Sequence, residues 1–201
     1  MSGAAPPPAP AGQPQPTHRR APPDRDAPAV RAKMLAVAQP GGHDKLLAEL
    51  VGTWDYTAQM WRAPGVPPME TKGSAVREAV LGGRYFITHA TGPMEMPGAD
   101  GKMKSFEFKG MSVDGYDNVK QKFVSTWIDN MGTGIMISEG TYDPASKTFT
   151  YHGTMEMVPG MKSEMRETIK VVDADHHTFS FYEMRDGKEA LTMQLSYTRR
   201  K

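Results

Sequence analysis

The chain has no cysteine among its 201 residues. That absence removes disulfides, thiol nucleophiles, cysteine-based zinc sites and lipoprotein acylation, and it leaves the redox compartment open. Long apolar runs are missing too. Nowhere do about 18 consecutive apolar residues occur, the length a membrane-spanning helix needs. Net charge is scarce: 24 basic and 23 acidic residues leave +1 at pH 7. No long-range field therefore draws the chain to nucleic acid or to an anionic membrane. The basic residues are scattered, without the stripe or the stacking aromatics of a nucleic-acid surface. The short basic run Thr198-Arg199-Arg200-Lys201 does not change that. Arg19-Arg20 is followed by the polar stretch Ala21-Pro22-Pro23-Asp24-Arg25-Asp26, which excludes a twin-arginine export signal. With no signal peptide the expected compartment is cytoplasmic; a start at Met34 instead of Met1 leaves a periplasmic one open. Glycine-rich phosphate loops, serine nucleophile elbows and kinase signatures are absent. The six histidines show no metal-ligand spacing, so neither a metal nor a cofactor is assigned.

What is present divides the chain in two. Residues 1–40 are dominated by proline and alanine, with runs such as Pro6-Pro7-Pro8 and few large apolar side chains. Such a segment cannot bury enough surface to offset the entropy of ordering itself. A disordered tail is expected there, with a proline-rich ligand for a partner domain as the sharper alternative. After Pro40-Gly41-Gly42, the run His43-Asp44-Lys45-Leu46-Leu47-Ala48-Glu49-Leu50 has apolar residues at helical spacing, with Asp44 near its start. It predicts a short helix leading into a single domain over 41–201.

From Val51 onward the period is two. Trp54, Tyr56, Ala58 and Met60 alternate with Thr53, Asp55, Thr57 and Gln59. The same holds for Phe149 to Met155, for Met165 to Val171 and for Leu191 to Tyr197. Each run has one apolar and one polar face, as half-buried antiparallel strands do. Turn signals separate the runs: Leu81-Gly82-Gly83, Asp100-Gly101, Asp114-Gly115, Asp143-Pro144, Pro159-Gly160, Asp173-Ala174-Asp175 and Asp186-Gly187. The pattern predicts an all-β fold: a closed antiparallel up-and-down barrel of about 8–10 strands. Sequential hairpins favour the barrel over a sandwich, and closure removes exposed edge strands.

Two features at the ends of the domain resemble lipocalins and fatty-acid-binding proteins of the calycin group. Gly52-Thr53-Trp54 opens the first strand after a short helix, and Tyr197-Thr198-Arg199 closes the last. The resemblance implies that Trp54 plugs the barrel floor and that Arg199 packs over its indole, a cation–π contact. A closer resemblance rests on several segments. These are Gly52-Thr53-Trp54, Ala63-Pro64-Gly65-Val66-Pro67-Pro68, Val80-Leu81-Gly82-Gly83-Arg84-Tyr85 and Gly115-Tyr116-Asp117-Asn118. To them are added Ser125-Thr126-Trp127-Ile128-Asp129-Asn130-Met131 with Gly132-Thr133-Gly134-Ile135-Met136, and Glu139-Gly140-Thr141-Tyr142-Asp143. Together they resemble the bacterial family called DUF1579 over roughly residues 41–200. That family has no established activity to carry over, so the resemblance implies a fold.

Candidate site residues come from polar side chains on apolar faces, because burying a charge is costly unless something pairs with it. Glu78 shares a face with Val76 and Val80, Glu139 with Ile135 and Ile137, and Glu167 with Met165 and Ile169. All three are expected to point inward, with Arg77, Arg84 and Arg166 as available partners. They make a structural ion-pair network, a polar ligand site, or carboxylates with raised pKa suited to acid–base work. His89 shares a face with Tyr85 and Ile87 and is expected as a core histidine or a ligand contact; haem is a candidate, though no histidine is marked as its axial ligand. His176-His177 falls in a predicted turn and is expected to be solvated. Trp127 and Asp129 end a strand at the expected mouth, where they stack on and hydrogen-bond a ligand or simply cap a turn. The 16 methionines, with Met94-Glu95-Met96 and Met155-Glu156-Met157 among them, fit adaptable packing, with thioether binding of Cu(I) as the alternative.

The expected function is that of a non-enzymatic module holding one apolar or amphipathic small molecule. Its expected ligand-binding residues are Glu78, Tyr85, His89, Trp127, Asp129, Glu139 and Glu167; Trp54 and Arg199 are structural. The alternatives are an enzyme using inward carboxylates for proton transfer or hydrolysis, and a solid barrel acting through its outer surface or tail. No catalytic residue is assigned, and oligomeric state is left open.

Overall fold

The computed structural model describes residues 24–201 apart from Pro64 and Asp186. Most of the expected tail, Pro6-Pro7-Pro8 included, lies outside the described residues. Within its last part a helix forms where composition suggested none: α1, Pro28–Val37. Proline suits the first helical position, and Ala29, Ala32, Met34, Leu35 and Ala36 are strong helix formers. α1 buries none of its side chains.

α2, Gly42–Ala48, is the helix the apolar spacing predicts. The Asp44 carboxylate accepts a hydrogen bond from the Gly41 backbone N–H at 2.6 Å, which fastens the helix start. Leu47 is fully buried and Leu50 nearly so.

Ten strands follow: β1 Gly52–Met60, β2 Met69–Val80, β3 Tyr85–Pro97, β4 Met103–Asp117, β5 Lys122–Asp129, β6 Met136–Asp143, β7 Thr148–Val158, β8 Met161–Val171, β9 His176–Arg185 and β10 Lys188–Arg199. Each pairs antiparallel with the next, and β1 pairs with β10 to close the barrel. This is the up-and-down barrel that alternation and turn signals predict.

Two ends result. At the helix end, α2 sets Leu47 and Leu50 against Phe86, Phe123, Phe149 and Tyr151. Beside them Trp54 is buried, and its indole N–H donates to the Leu50 carbonyl at 3.0 Å. The Arg199 guanidinium lies 4.1 Å from the Trp54 ring centroid and donates to the carbonyls of Val51 (2.6 Å) and Glu49 (2.9 Å). Gly52 has φ +142, and a Cβ there would run into the Arg199 guanidinium. Glycine at this position therefore serves both the strained turn and the arginine's seat. The far end carries the methionine-rich strand ends, among them Met60, Met69, Met96, Met136, Met157 and Met161.

Register shows which side chains share a face, and here the two halves of the barrel differ. From β7 round to β1 the outer rows are polar: Thr168, Ser180, Gln194 and Gln59 form one, and Lys170, Thr178, Ser196 and Thr57 another. Their inner rows are mostly apolar, as in Phe149, Ile169, Phe179, Leu195 and Ala58. Across β2–β6 the faces are mixed: apolar side chains stand in the outer rows, and polar ones join Ala75, Phe86, Ala90 and Phe123 inside. One outer row reads Val76, His89, Met111, Ile128, and the next reads Glu78, Ile87, Val113, Thr126, Ile137. The inner row beside them reads Arg77, Thr88, Ser112, Trp127, and the following one contains Phe86, Asp114, Ser125 and Ser138.

Candidate functional site

The interior of the β2–β6 half holds a charged pair. Arg77 from β2 and Asp114 from β4 meet at 2.6 Å, with side chains only 8% and 7% exposed. Ser112 Oγ donates to Asp114 Oδ2 at 2.9 Å and Ser125 Oγ to Oδ1 at 2.5 Å, so both carboxylate oxygens are satisfied. Arg77 is less well served. Its Nη1 donates to Asp114 and to Thr88 Oγ1 at 3.0 Å, while Nε and Nη2 are enclosed with no protein acceptor. Unmet buried donors are rare in folded proteins because each forfeits its water bonds without replacement.

Across the interior stands Glu167 on β8, 7% exposed. Ser138 Oγ donates to its Oε2 at 3.1 Å. Burial pushes its pKa up to about 7; the Ser138 bond opposes the rise and the Asp114 charge adds to it. Tyr151 is paired in register with Glu167 on β8 and with Gly140 on β6. Burial lifts its hydroxyl far above the ordinary tyrosine value, and the Asp114 and Glu167 charges reinforce this while Arg77 opposes it. His177 is 8% exposed, and its Nδ1 has no partner. Burial, helped by the Arg77 and Arg199 charges, holds its pKa down to about 3, so the ring stays neutral. It stacks on Tyr197 at 4.3 Å and meets Trp54 edge-on at 4.3 Å.

The interior thus presents one fixed cation already paired, one carboxyl that titrates near neutrality, and neutral hydrogen-bonding rings. Glu167 has the pKa of a general acid or base. Among the described residues no three His, Asp or Glu side chains converge to hold a metal ion.

Of the residues singled out from sequence, Glu167 stands inside. Trp127 faces inward opposite Ser112, and its indole N–H donates to Asp129 Oδ2 at 2.9 Å at the far end. Gly110 makes room for it, since a Cβ there would run into the indole. Asp129 Oδ1 also accepts from the Met131 backbone N–H at 2.9 Å, so the turn-capping and site readings of this carboxylate coexist.

The remaining expectations are corrected. Glu78, Tyr85, His89 and Glu139 all stand exposed on the outer face. Their apolar neighbours belong to the outer wall of β2–β6, so sharing a face with valine and isoleucine there means pointing out. Glu139 pairs with Lys120 on the surface, and His89 is neither a core histidine nor placed to reach an interior haem. His177 is buried rather than solvated; its neighbour His176 is the exposed one, bonded to Asp173. The proposed partners also differ. Arg77 pairs with Asp114, Arg166 with Glu189, and Arg84 with backbone.

Sequence reasoning missed Asp114, Tyr151, His177 and Tyr197. Asp114-Gly115 reads as a turn but lies inside β4, and the signal for Asp114 was its i, i+2 spacing with Ser112 on one face of that strand. Two of the resemblance motifs have a structural task instead. Asn118 Nδ2 donates to the carbonyls of Val37 and Gln39, both at 3.0 Å, and Arg84 Nε donates to that of Ala38 at 3.2 Å. They lash the segment before α2 to the barrel wall.

This geometry can be set beside known proteins. The family model described as "Protein of unknown function (DUF1579)" matches residues 39–199. The chain belongs to the DUF1579 family. Among solved structures, this DUF1579 barrel is similar to Rv2717c from M. tuberculosis, with a TM-score of 0.57 and 16% identity over 81% of this chain and all of that one. It is also similar to the S-type phycobiliprotein lyase CPES from Guillardia theta, with a TM-score of 0.51 and 13% identity over 79% of this chain and 93% of that one. Both likenesses are of fold, a calycin-like barrel. No curated protein matches the DUF1579 chain.

Proposed function

We propose that this DUF1579 barrel is a binding module for one small amphipathic molecule held inside it. The polar end of the molecule meets the Arg77–Asp114 and Glu167 side of the interior. Its apolar part lies against Trp127, Phe179 and Phe181 toward the far end. The observation that carries the reading is Arg77, a buried guanidinium with two nitrogens left without partners. A charge is retained at such a cost where something uses it. Trp127 with Asp129 supplies an aromatic face and an acceptor toward the mouth, the mixture small-molecule sites show.

Native mass spectrometry of the protein purified without denaturation tests this, with any mass excess released and identified. An excess that shrinks in Glu167→Gln and in Trp127→Leu is expected. A native mass equal to the bare chain, with indole fluorescence indifferent to a panel of amphiphilic acids, amines and alcohols, sinks the proposal. A second reading has one observation behind it, the Glu167 pKa near 7. It is that the bound molecule is a substrate and Glu167 moves its proton. In that case Glu167→Gln abolishes turnover and leaves binding intact.

A further inference from the structure

We infer that the molecule the barrel holds is a monocarboxylate, bound through the Nε–Nη2 edge of Arg77; this rests on the binding function proposed above and names its ligand class. The starting point is which part of the guanidinium is in use. Nη1 is taken by Asp114 Oδ2 and Thr88 Oγ1. The donors with no protein acceptor, Nε and Nη2, lie together along one edge of the planar group. Two parallel N–H groups at that spacing match the two oxygens of a carboxylate.

The same molecule shows what such an edge takes. Arg166 presents Nε and Nη2 to Glu189 and holds its two oxygens, each at 2.7 Å. Arg200 turns the same two nitrogens to the two oxygens of Asp55. Arg199, at the barrel floor, gives all three of its nitrogens to backbone carbonyls. Arg77 is only 7% exposed, so an unmatched edge costs more there than at the surface. The edge is also held in place. Asp114 and Thr88 anchor the opposite side, and the guanidinium carbon lies 5.6 Å from the Phe86 ring centroid. A fork fixed in advance loses little freedom when it binds.

Charge selects the head group. Asp114 has both oxygens covered, by Arg77, Ser112 and Ser125. Glu167 is held by Ser138, and below about pH 7 it keeps its proton and adds no negative charge. One further anion of single charge can then share the guanidinium. A phosphate ester brings more negative charge into the same enclosed space. An alcohol offers one acceptor oxygen to two donors, and an ammonium meets the guanidinium as a like charge. The tail has a course as well. The inner row Arg77, Thr88, Ser112, Trp127 leads from this edge toward the far end, with the small Ala75 and Ala90 on the neighbouring row. Over those alanines lie the partly buried Phe108, Trp127 and Met193, which an entering tail displaces.

The test uses probes with one tail and different heads. Octanoate, octanol and octylamine are titrated into the full chain by calorimetry below about pH 7, where Glu167 keeps its proton. Octanoate is expected to bind at least about tenfold tighter than either of the others. Arg77→Lys keeps a cation for Asp114 and loses the two-donor edge. In that variant the preference for octanoate over octanol is expected to fall to about twofold or less. Arg166→Lys, at an edge already holding Glu189, is expected to leave the preference unchanged. Should Arg77→Lys lose its circular dichroism spectrum, the Nε–H resonance of Arg77 in the wild type decides: it is expected to shift with octanoate and stay in place with octanol. Octanol or octylamine binding as tightly as octanoate overturns the inference and leaves the binding function standing. So does a folded Arg77→Lys variant with its preference intact, an Nε–H resonance indifferent to octanoate, or octyl phosphate binding tighter than octanoate. Failure of every probe to bind overturns both.

Discussion

Between β2 and β6 the outer wall carries exposed valine, isoleucine and tyrosine, and the interior holds a buried ion pair and serines beside Phe86 and Phe123; from β7 round to β1 the outer rows are polar and the inner rows mostly apolar. The two halves have the same architecture, the same antiparallel pairing and comparable alternation, yet they differ in how much apolar surface they leave outside and how much polar surface they enclose. The polar-outside half is stabilised conventionally, with Phe149, Phe181 and Leu195 packed inside. The other half carries an internal ion pair secured by serines and leaves its isoleucines and valines to solvent. Alternation reports that a strand has two unlike faces. It does not report which of them meets water.

Four expectations sharpen or break that contrast. The largest concerns the polar interior. Arg77→Met leaves Asp114 buried with two serines and no counter-charge, and a loss of about 3–5 kcal/mol is expected by urea denaturation at pH 7. The double change Arg77→Met with Asp114→Leu should restore most of it, since replacing both partners removes the uncompensated charge. If the double variant is as unstable as the single one, the pair is not what makes this half different. Next comes the apolar plug at the helix end, where Trp54→Ala should cost about 3–5 kcal/mol as a large core truncation.

Third is Glu167, the polar exception inside the apolar-lined half. Its carboxyl titrates at about 7 folded, against 4.5 as an ordinary glutamate. Between those values the folded state holds the extra proton, so stability falls as pH rises through that window, by about 3 kcal/mol in all. His177 acts oppositely. It titrates at about 3 folded against 6.5 ordinarily, so its contribution rises with pH from 3 to 6.5. From pH 4.5 to 6.5 the two slopes cancel. Glu167→Gln should therefore stabilise the protein by about 3 kcal/mol at pH 8 and little at pH 4. It should also expose a rising slope across the window that is flat in the wild type. Paired melting profiles across pH decide this. The smallest effect belongs to the conventional outer wall, where Ser196→Ile should change the unfolding free energy by no more than about 0.5 kcal/mol.

The barrel itself was legible because ten alternating runs and their turns are local features, and hairpin order follows chain order. The Trp54–Arg199 contact was legible from two ends of the sequence. Placement of the site was legible only where a strand follows the usual phase. Glu167 sits between Met165 and Ile169 on such a strand, and its inward position follows. Glu78, Tyr85, His89 and Glu139 ride on strands whose outer faces also carry valine and isoleucine, so the same reasoning put them on the wrong side. The Arg77–Asp114 pair joins residues 37 apart on strands separated by β3, a distance no local pattern spans. His177 looked like half of a turn. Its burial depends on Tyr197 and Trp54 arriving from either side of the closing seam.

That seam has a consequence for how the chain reaches this state. Eight of the ten strand pairings a newly made chain needs can form as soon as each hairpin is complete, and the ninth only when β10 exists to meet β9. The β1–β10 pairing must wait longest, for Arg199 reaches back across 148 residues to the Val51 carbonyl. Loop closure over such a span is slow and entropically costly. Until it happens, the edges of β1 and β9 stand open while the isoleucine-bearing wall is already formed. During synthesis the molecule is thus at its stickiest just before its last strand arrives, and chaperone demand should peak there.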